Sequence, residues 1–264
     1  MITSTSNDRI KYVRSLVRDS KTRRKEGLFA VEGVRIASEI PKDALIEAFA
    51  TEDFLGSGKA PGIFPYEVTP TVVSPDVFAK MSDTKSPQGI LCICRMSSLT
   101  PEQFLGLESG VATAPATGDL KLLLLEGIQD PGNLGTMVRT AEGAGFDAII
   151  ADRNTVDVYN PKVTRSTMGS LFRVPVLYTD DLPKIIDTLK KLHVTVYAAH
   201  LNAETDYREE NYPNRLAFLI GNEGSGLSEE ISQKADRLIR IPMKGKLESL
   251  NAAVAAAILM YSNI

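Results

Sequence analysis

The chain has 264 residues, 43% of them hydrophobic, and a formal net charge of −3. That length suits about two domains, each with its own core, and a slightly acidic whole creates no global positive field, so any nucleic-acid binding has to come from a local patch. No apolar run reaches the roughly 18 residues of a membrane span and Met1-Ile2-Thr3-Ser4 opens no signal-peptide core, so the protein is expected to stay in the cytoplasm, away from membranes.

Residues 1–25 supply such a patch: Arg9, Lys11, Arg14, Arg18, Lys21, Arg23, Arg24 and Lys25 stand against Asp8 and Asp19. Ile10, Val13, Leu16 and Val17 recur at helical spacing, which predicts an amphipathic helix with a basic outer side, followed by a basic turn. The basic side is either a solvated face or a contact for phosphate. Phe29-Ala30-Val31-Glu32-Gly33 then reads as a strand ending in a turn, and 34–40 as a helix. Apolar runs at 45–50 and 90–94, with helical pieces near 52–55 and 75–81, complete a small α/β module. Cys92 and Cys94 fall on one face of the 90–94 run, at a spacing that fits neither a zinc knuckle nor a redox C-x-x-C pair, and are expected as buried thiols. His193 and His200 are the only histidines, so no metal site is expected.

Between 96 and 119 the composition turns to Ser, Thr, Pro and Gly, with room for one short helix near 102–107. The expected organisation is therefore a domain over 1–97, a linker over 98–118 and a second domain over 119–264. In the second domain six apolar runs, 120–125, 148–151, 174–177, 194–199, 216–220 and 238–241, alternate with helical patterns, which predicts a parallel sheet covered on both faces.

Glu126-Gly127-Ile128-Gln129-Asp130-Pro131-Gly132-Asn133 leaves the first of these strands, and Asn133 reads as the N-cap of the next helix. Leu134, Met137, Val138 and Ala141 form its buried stripe, while Arg139 lies off that stripe, near the carboxyl edge of the sheet. The run 216–220 stops at Gly221-Asn222-Glu223-Gly224-Ser225-Gly226. This is either a tight strand-to-helix turn or a loop that lets main chain approach a ligand. It is neither a dinucleotide fingerprint nor a P-loop. A second loop of the same kind follows 238–241, again at a strand's carboxyl end, where open α/β sheets bind ligands. Ser249 reads as the N-cap of a terminal helix, 250–261, that is apolar all round and so has to be enclosed by its own domain or by a second copy.

Three segments, 130–145, 219–227 and 239–258, resemble the three motifs of the SpoU (TrmH-like) branch of the SPOUT RNA methyltransferases, which methylate ribose 2′-hydroxyls with S-adenosylmethionine. The likeness covers 119–264. The module at 4–95, through its basic start, Phe29-Ala30-Val31-Glu32-Gly33 and Pro87-Gln88-Gly89-Ile90, is similar to the ribosomal-protein-like RNA-binding domain that precedes the catalytic domain in many members. The resemblance implies an α/β fold with a C-terminal trefoil knot in a parallel-sheet methyltransferase domain, a small N-terminal α/β RNA-binding domain, and a homodimer through the last helix. It implies catalytic residues at Arg139, Asn133, Ser249, Asn251 and Glu223. The cofactor S-adenosylmethionine would be held mainly by main chain at Gly221, Ile241 and Leu250, with Leu201, Asn222 and Met243 close by. Arg165 falls in the segment that usually reads R-A-S-x-G-A, here Arg165-Ser166-Thr167-Met168-Gly169-Ser170, and joins Arg9, Lys11, Arg23, Arg24 and Lys25 as a contact for RNA, ribosomal ahead of transfer. Two rivals stand beside this reading. A nucleotide-dependent enzyme lacks its first-strand G-x-G-x-x-G, and an RNA-binding paralogue without catalysis would show a broken motif where all three are intact.

Overall fold

The structure, a computed structural model, describes residues 1–58, 68–107 and 118–264. Part of the expected linker, 108–117, lies outside the described residues. The chain forms two compact units: 1–98 with 157–172, and 99–156 with 173–264.

The first unit opens with α1 (Asp8–Arg18), whose N-cap Asn7 accepts from the Arg9 amide and whose buried stripe is Ile10, Val13, Leu16 and Val17. Residues 20–26 form a second helix, α2 (Ser20–Glu26), where the sequence suggested a turn, because the Asp19 carboxylate accepts from the amides of Lys21 and Thr22 and restarts the helix at once. Then come β1 (Leu28–Glu32), α3 (Val34–Ala37), β2 (Leu45–Ala50), α4 (Glu52–Gly56), β3 (Thr71–Val72), α5 (Pro75–Met81) and β4 (Ile90–Arg95). Their sheet runs β1-β4-β2-β3, with β4 antiparallel to β1 and β2. Cys92 and Cys94 are buried on β4, and burial pushes the Cys92 thiol up to about 12, so both are inert packing groups.

The chain enters the second unit with α6 (Pro101–Phe104), which is closed by a capping box between Thr100 and Gln103. It continues through β5 (Leu120–Leu125), α7 (Pro131–Gly143) and β6 (Ala148–Asp152), returns to the first unit for α8 (Pro161–Thr167), and ends with β7 (Val176–Thr179), α9 (Leu182–Lys191), β8 (Thr195–Ala199), β9 (Thr205–Asp206), β10 (Arg215–Ile220), α10 (Glu229–Lys234), β11 (Arg237–Arg240) and α11 (Ala252–Tyr261). The second unit's sheet is parallel throughout, in the order β7-β6-β5-β10-β8-β11-β9. Each of the six apolar runs is a strand. The added edge strand β9 is two polar residues long and carries no period to read. Leu122 and Leu124 pack with Ile185, Ile186 and Leu189 of α9 on one face, and α11 packs on β10 and α7.

Two helix caps differ from expectation. Asp130, not Asn133, caps α7, accepting from the amides of Gly132 and Asn133, because Pro131 has no N–H to lose at the first helical position. Asn251, not Ser249, caps α11, accepting from Ala253 and Val254, because that helix starts only at Ala252.

Arg23 is the larger correction. It lies under the basic surface rather than on it, with 3% of the residue exposed. Its guanidinium donates to the Leu16 and Val17 carbonyls at the end of α1 (3.0 and 3.2 Å) and twice to Asp157 Oδ2 (3.1 and 2.6 Å). Breaking such a pair strands a buried charge. Arg23→Ala should therefore cost about 2 to 4 kcal/mol, trimmed from the fully buried case because Asp157 retains some solvent, whereas Arg24→Ala at the next, exposed position should stay within about 0.5 kcal/mol. Urea unfolding followed by circular dichroism checks the difference.

Candidate functional site

In the second unit the strand order places β10 between β5 and β8, so the loops leaving β8, β10 and β11 share one edge of the sheet. The β10 loop closes on itself through two main-chain bonds, Asn222 N to Gly226 O (3.1 Å) and Gly226 N to Asn222 O (3.0 Å). A Cβ at Gly221 would lie 2.3 Å from the backbone of Gly226 and Leu227, so this turn admits no side chain there. The Asn222 side chain ties the loop down: Oδ1 accepts from Gly224 N (2.9 Å) and Ser225 N (3.1 Å), and Nδ2 donates to Gly127 O (2.7 Å).

Glu223 reaches across to the start of α7. Its Oε1 accepts from Asp130 N (3.0 Å) and Asn133 Nδ2 (2.9 Å), and its Oε2 from Gln129 N (3.0 Å). Asn133 Oδ1 in turn accepts from Asn251 Nδ2 (2.9 Å), whose own Oδ1 caps α11. A single chain of hydrogen bonds thus joins the β10 loop, the head of α7 and the head of α11. Burial works to raise the Glu223 pKa, but the Asn133 carboxamide and the Gln129 and Asp130 amides outweigh it and hold the carboxyl below its ordinary value.

Beside this chain lies a cavity of about 480 Å³. Gly221, Ile241, Leu250, Leu201, Asn222 and Met243, the six residues expected at a cofactor, all line it, as do Glu223 and Ser249. Asn133 and Asn251 do not; they stand one and two hydrogen bonds behind Glu223. Arg139 does not line it either. It is exposed on α7 and forms no ion pair among the described residues, so its donors are free. His200, Arg240 and Glu248 line the cavity and were not singled out from the sequence. The signal for His200 was present, since it directly follows the apolar run that ends at Ala199.

In the first unit Lys11, Arg24 and Lys25 are exposed, with surface partners only: Asp8, the Ser20 carbonyl and hydroxyl, and Glu26. Arg9 pairs with Glu47 and lies 5.0 Å from the Tyr12 ring centre. Such exposed pairs are worth little and exchange readily for phosphate. Arg165, on α8, is partly exposed and pairs with Asp83 at 3.3 Å. Among the described residues no cluster of His, Cys, Asp and Glu could hold a metal ion, and no helix is long and apolar enough to cross a membrane.

Residues 121–261 match the model of the SpoU rRNA Methylase family, and residues 7–92 that of the MRM3-like substrate binding domain. The chain is 36% identical over 261 residues to the 23S rRNA (guanosine(2553)-2'-O)-methyltransferase RlmP of Bacillus subtilis strain 168, which covers 98% of this chain and 97% of that protein. A crystal structure of an RNA 2′-O ribose methyltransferase is similar with a TM-score of 0.80 and 30% identity, over 99% of this chain and 97% of that one. The AdoMet-bound rRNA methyltransferase from Sinorhizobium meliloti is similar with a TM-score of 0.81 and 26% identity, over 99% and 96%.

Gly221→Ala should lower the melting temperature and abolish ligand uptake together, whereas Gly224→Ala, whose Cβ meets only Asn222 Oδ1 at 3.5 Å, should be tolerated in both respects. Scanning fluorimetry with and without S-adenosylmethionine reads the two effects. Because the folded-state pKa of Glu223 is depressed, its stabilising contribution is complete above the ordinary glutamate range and is lost as pH falls through the lowered value. Wild type should therefore exceed Glu223→Gln in unfolding free energy at neutral pH, and the gap should close on acidification.

Proposed function

The chain belongs to the SpoU rRNA methylase family, and we infer from this premise that it transfers the methyl group of S-adenosylmethionine to a ribose 2′-hydroxyl of ribosomal RNA. The observation that carries the reading is the cavity at the ends of β8, β10 and β11, to which the three motif segments contribute or are hydrogen-bonded. Its walls suit an adenosyl sulfonium: Leu201, Ile241, Met243 and Leu250 give an apolar slot, the tight Gly221–Gly226 turn exposes main-chain donors and acceptors, and the Glu223 and Glu248 carboxylates suit a cationic centre. When bound, S-adenosylmethionine supplies an electrophilic methyl group.

The protein's own task is to align the 2′-oxygen and stabilise its developing negative charge. We assign this to Arg139, whose guanidinium is free to donate to that oxygen or to the neighbouring phosphate, and which, carrying only N–H donors and no acceptor, is not the base. Asn133, Glu223 and Asn251 hold the head of α7, and thereby Arg139, in register with the cavity, and Ser249 completes the wall. Leu201, Asn222 and Met243 flank the main-chain contacts at Gly221, Ile241 and Leu250. Intact motifs favour catalysis over an RNA-binding protein without activity.

The same reading extends to assembly and substrate. We place a trefoil knot where the chain passes from β11 through the cavity wall into α11. A second copy covers the outer face of α11, where Val254 and Tyr261 remain 47% and 54% exposed, making a two-fold dimer. The first unit, which carries the MRM3-like match, holds RNA through Arg9, Lys11, Arg24 and Lys25, with 23S rRNA the substrate, in the cytoplasm. Arg23 leaves this set because it is buried.

Arg139→Ala tests the division between binding and chemistry. It should change stability by no more than about 0.5 kcal/mol and leave cofactor affinity unchanged, while cutting the single-turnover methylation rate by roughly two to three orders of magnitude. Recovery of full rate at saturating RNA would make Arg139 a binding group only. Light scattering should give a dimer, and Val254→Glu should shift it toward monomer; a wild-type monomer would contradict the assigned interface.

A further inference from the structure

The stretch 157–172 belongs by sequence to the region that matches the methylase family, yet it folds into the first unit, against elements that match the substrate-binding domain. It is an arm that leaves the second unit after Val156 and rejoins it at Arg173. Its root is fastened at several points. Asp157 Oδ2 takes two donors from the buried Arg23, and its Oδ1 accepts from Tyr159 N (3.0 Å). The Tyr159 ring lies 4.5 Å from that of Phe29 on β1, and its hydroxyl accepts from Ser97 N (3.0 Å). From this root Asn160 caps α8, which buries Val163, Thr164 and Thr167 in the first unit and leaves Arg165 partly exposed.

Arg165 is held from the far side as well. Its partner Asp83 sits on a loop anchored to the buried carboxylate of Glu32, which accepts from Ser82 Oγ (2.7 Å), Thr84 Oγ1 (2.8 Å) and Asp83 N (3.3 Å). The guanidinium gives Asp83 one N–H at 3.3 Å, and its other donors have no partner among the described residues. It is thus pre-oriented, with most of its fork open, as a phosphate-binding arginine should be.

We propose that Arg23, Asp157 and Tyr159 are positioning residues for RNA: they clamp the arm to the first unit so that Arg165 meets the phosphodiester backbone as part of that unit. The proposal rests on the RNA methyltransferase reading and adds that the RNA-binding surface is completed by sequence borrowed from the methylase region. Arg23, chosen from the sequence as a direct phosphate contact, acts through Arg165 instead.

A double-mutant cycle in the full-length protein tests this, with a 23S rRNA transcript as the probe and RNA affinity read by gel shift, independently of methyl transfer. Arg165→Ala and Asp157→Asn should each weaken RNA binding by about ten-fold, roughly one lost charge-assisted contact. Together they should weaken it little further, because the second change removes what the first has already mispositioned. Asp157→Asn combined with Arg24→Ala should instead show losses that multiply, since the Arg24 guanidinium bonds to Ser20 and not to the arm. S-adenosylmethionine affinity should stay within about two-fold throughout. Multiplying losses for Asp157 with Arg165, or unchanged RNA affinity in Asp157→Asn, would overturn the proposal. Sub-multiplicative losses with Arg24 as well would also overturn it, by revealing general unfolding of the unit. Should Asp157→Asn fail to fold, Tyr159→Phe runs the same cycle, since it drops one hydroxyl and keeps the ring against Phe29. Failure of the wild type to methylate the transcript while this cycle still closes would count against the family reading and not against the clamp.

Discussion

The hydrogen-bond chain from Glu223 through Asn133 to Asn251 is the constraint on which the site depends. Its members are 90 and 118 residues apart in sequence, and each supports a different loop. Glu223 satisfies the amides at the head of α7, Asn251 satisfies those at the head of α11, and Asn133 bridges the two. Helix heads expose amides that need acceptors, and here the acceptors of one loop are also the fasteners of the next. The cavity wall formed by 221–227 therefore cannot move without disturbing the helix that carries Arg139. A carboxylate at 223 suits this place better than an amide would, because every group facing it is a donor.

Much of this architecture can be read from local pattern. Strands buried on both faces of a parallel sheet appear as continuous apolar runs, so β5, β6, β8 and β10 announce themselves, while β7 and β11, less fully buried, are marked by shorter apolar runs, and the loops after the strands mark the ligand edge by topology. The six residues expected at the cofactor rest on a family resemblance, and the structure gathers all six around one cavity. What escaped local reading was decided by partners distant in sequence. Nothing near Arg23 tells it from Arg24; its burial depends on Asp157, 134 positions away. The excursion of 157–172 into the first unit is equally invisible, since α8 has the periodicity of any short helix. The caps of α7 and α11 went astray by two or three positions because several polar residues compete at each head, and the first backbone turn decides among them.

The two units present different chemistry. A parallel sheet edge with a tight glycine turn offers main chain and a few apolar walls, which suits a small ligand that brings its own reactivity. The first unit offers exposed cations in weak surface pairs, which suit a polyanion, and contacts of that kind give salt-dependent affinity without reading bases. Arg139 belongs to neither function by its local surroundings. It is a cation without an ion-pair partner among the described residues, on a helix positioned by the Glu223 chain, and the proposed role is to act on charge that appears only as the 2′-oxygen is attacked.

The central claim, that the methyl group goes to a ribose 2′-oxygen of ribosomal RNA, has a direct test in the chemistry of the product. Methylation of that oxygen removes the nucleophile that cleaves the adjacent phosphodiester in alkali. Purified protein incubated with 23S rRNA and methyl-labelled S-adenosylmethionine should yield RNA whose label, after complete alkaline hydrolysis, resides in a dinucleotide resistant to cleavage. Label released in mononucleotides, which would mark a methylated base, or no transfer to RNA at all, would contradict the account.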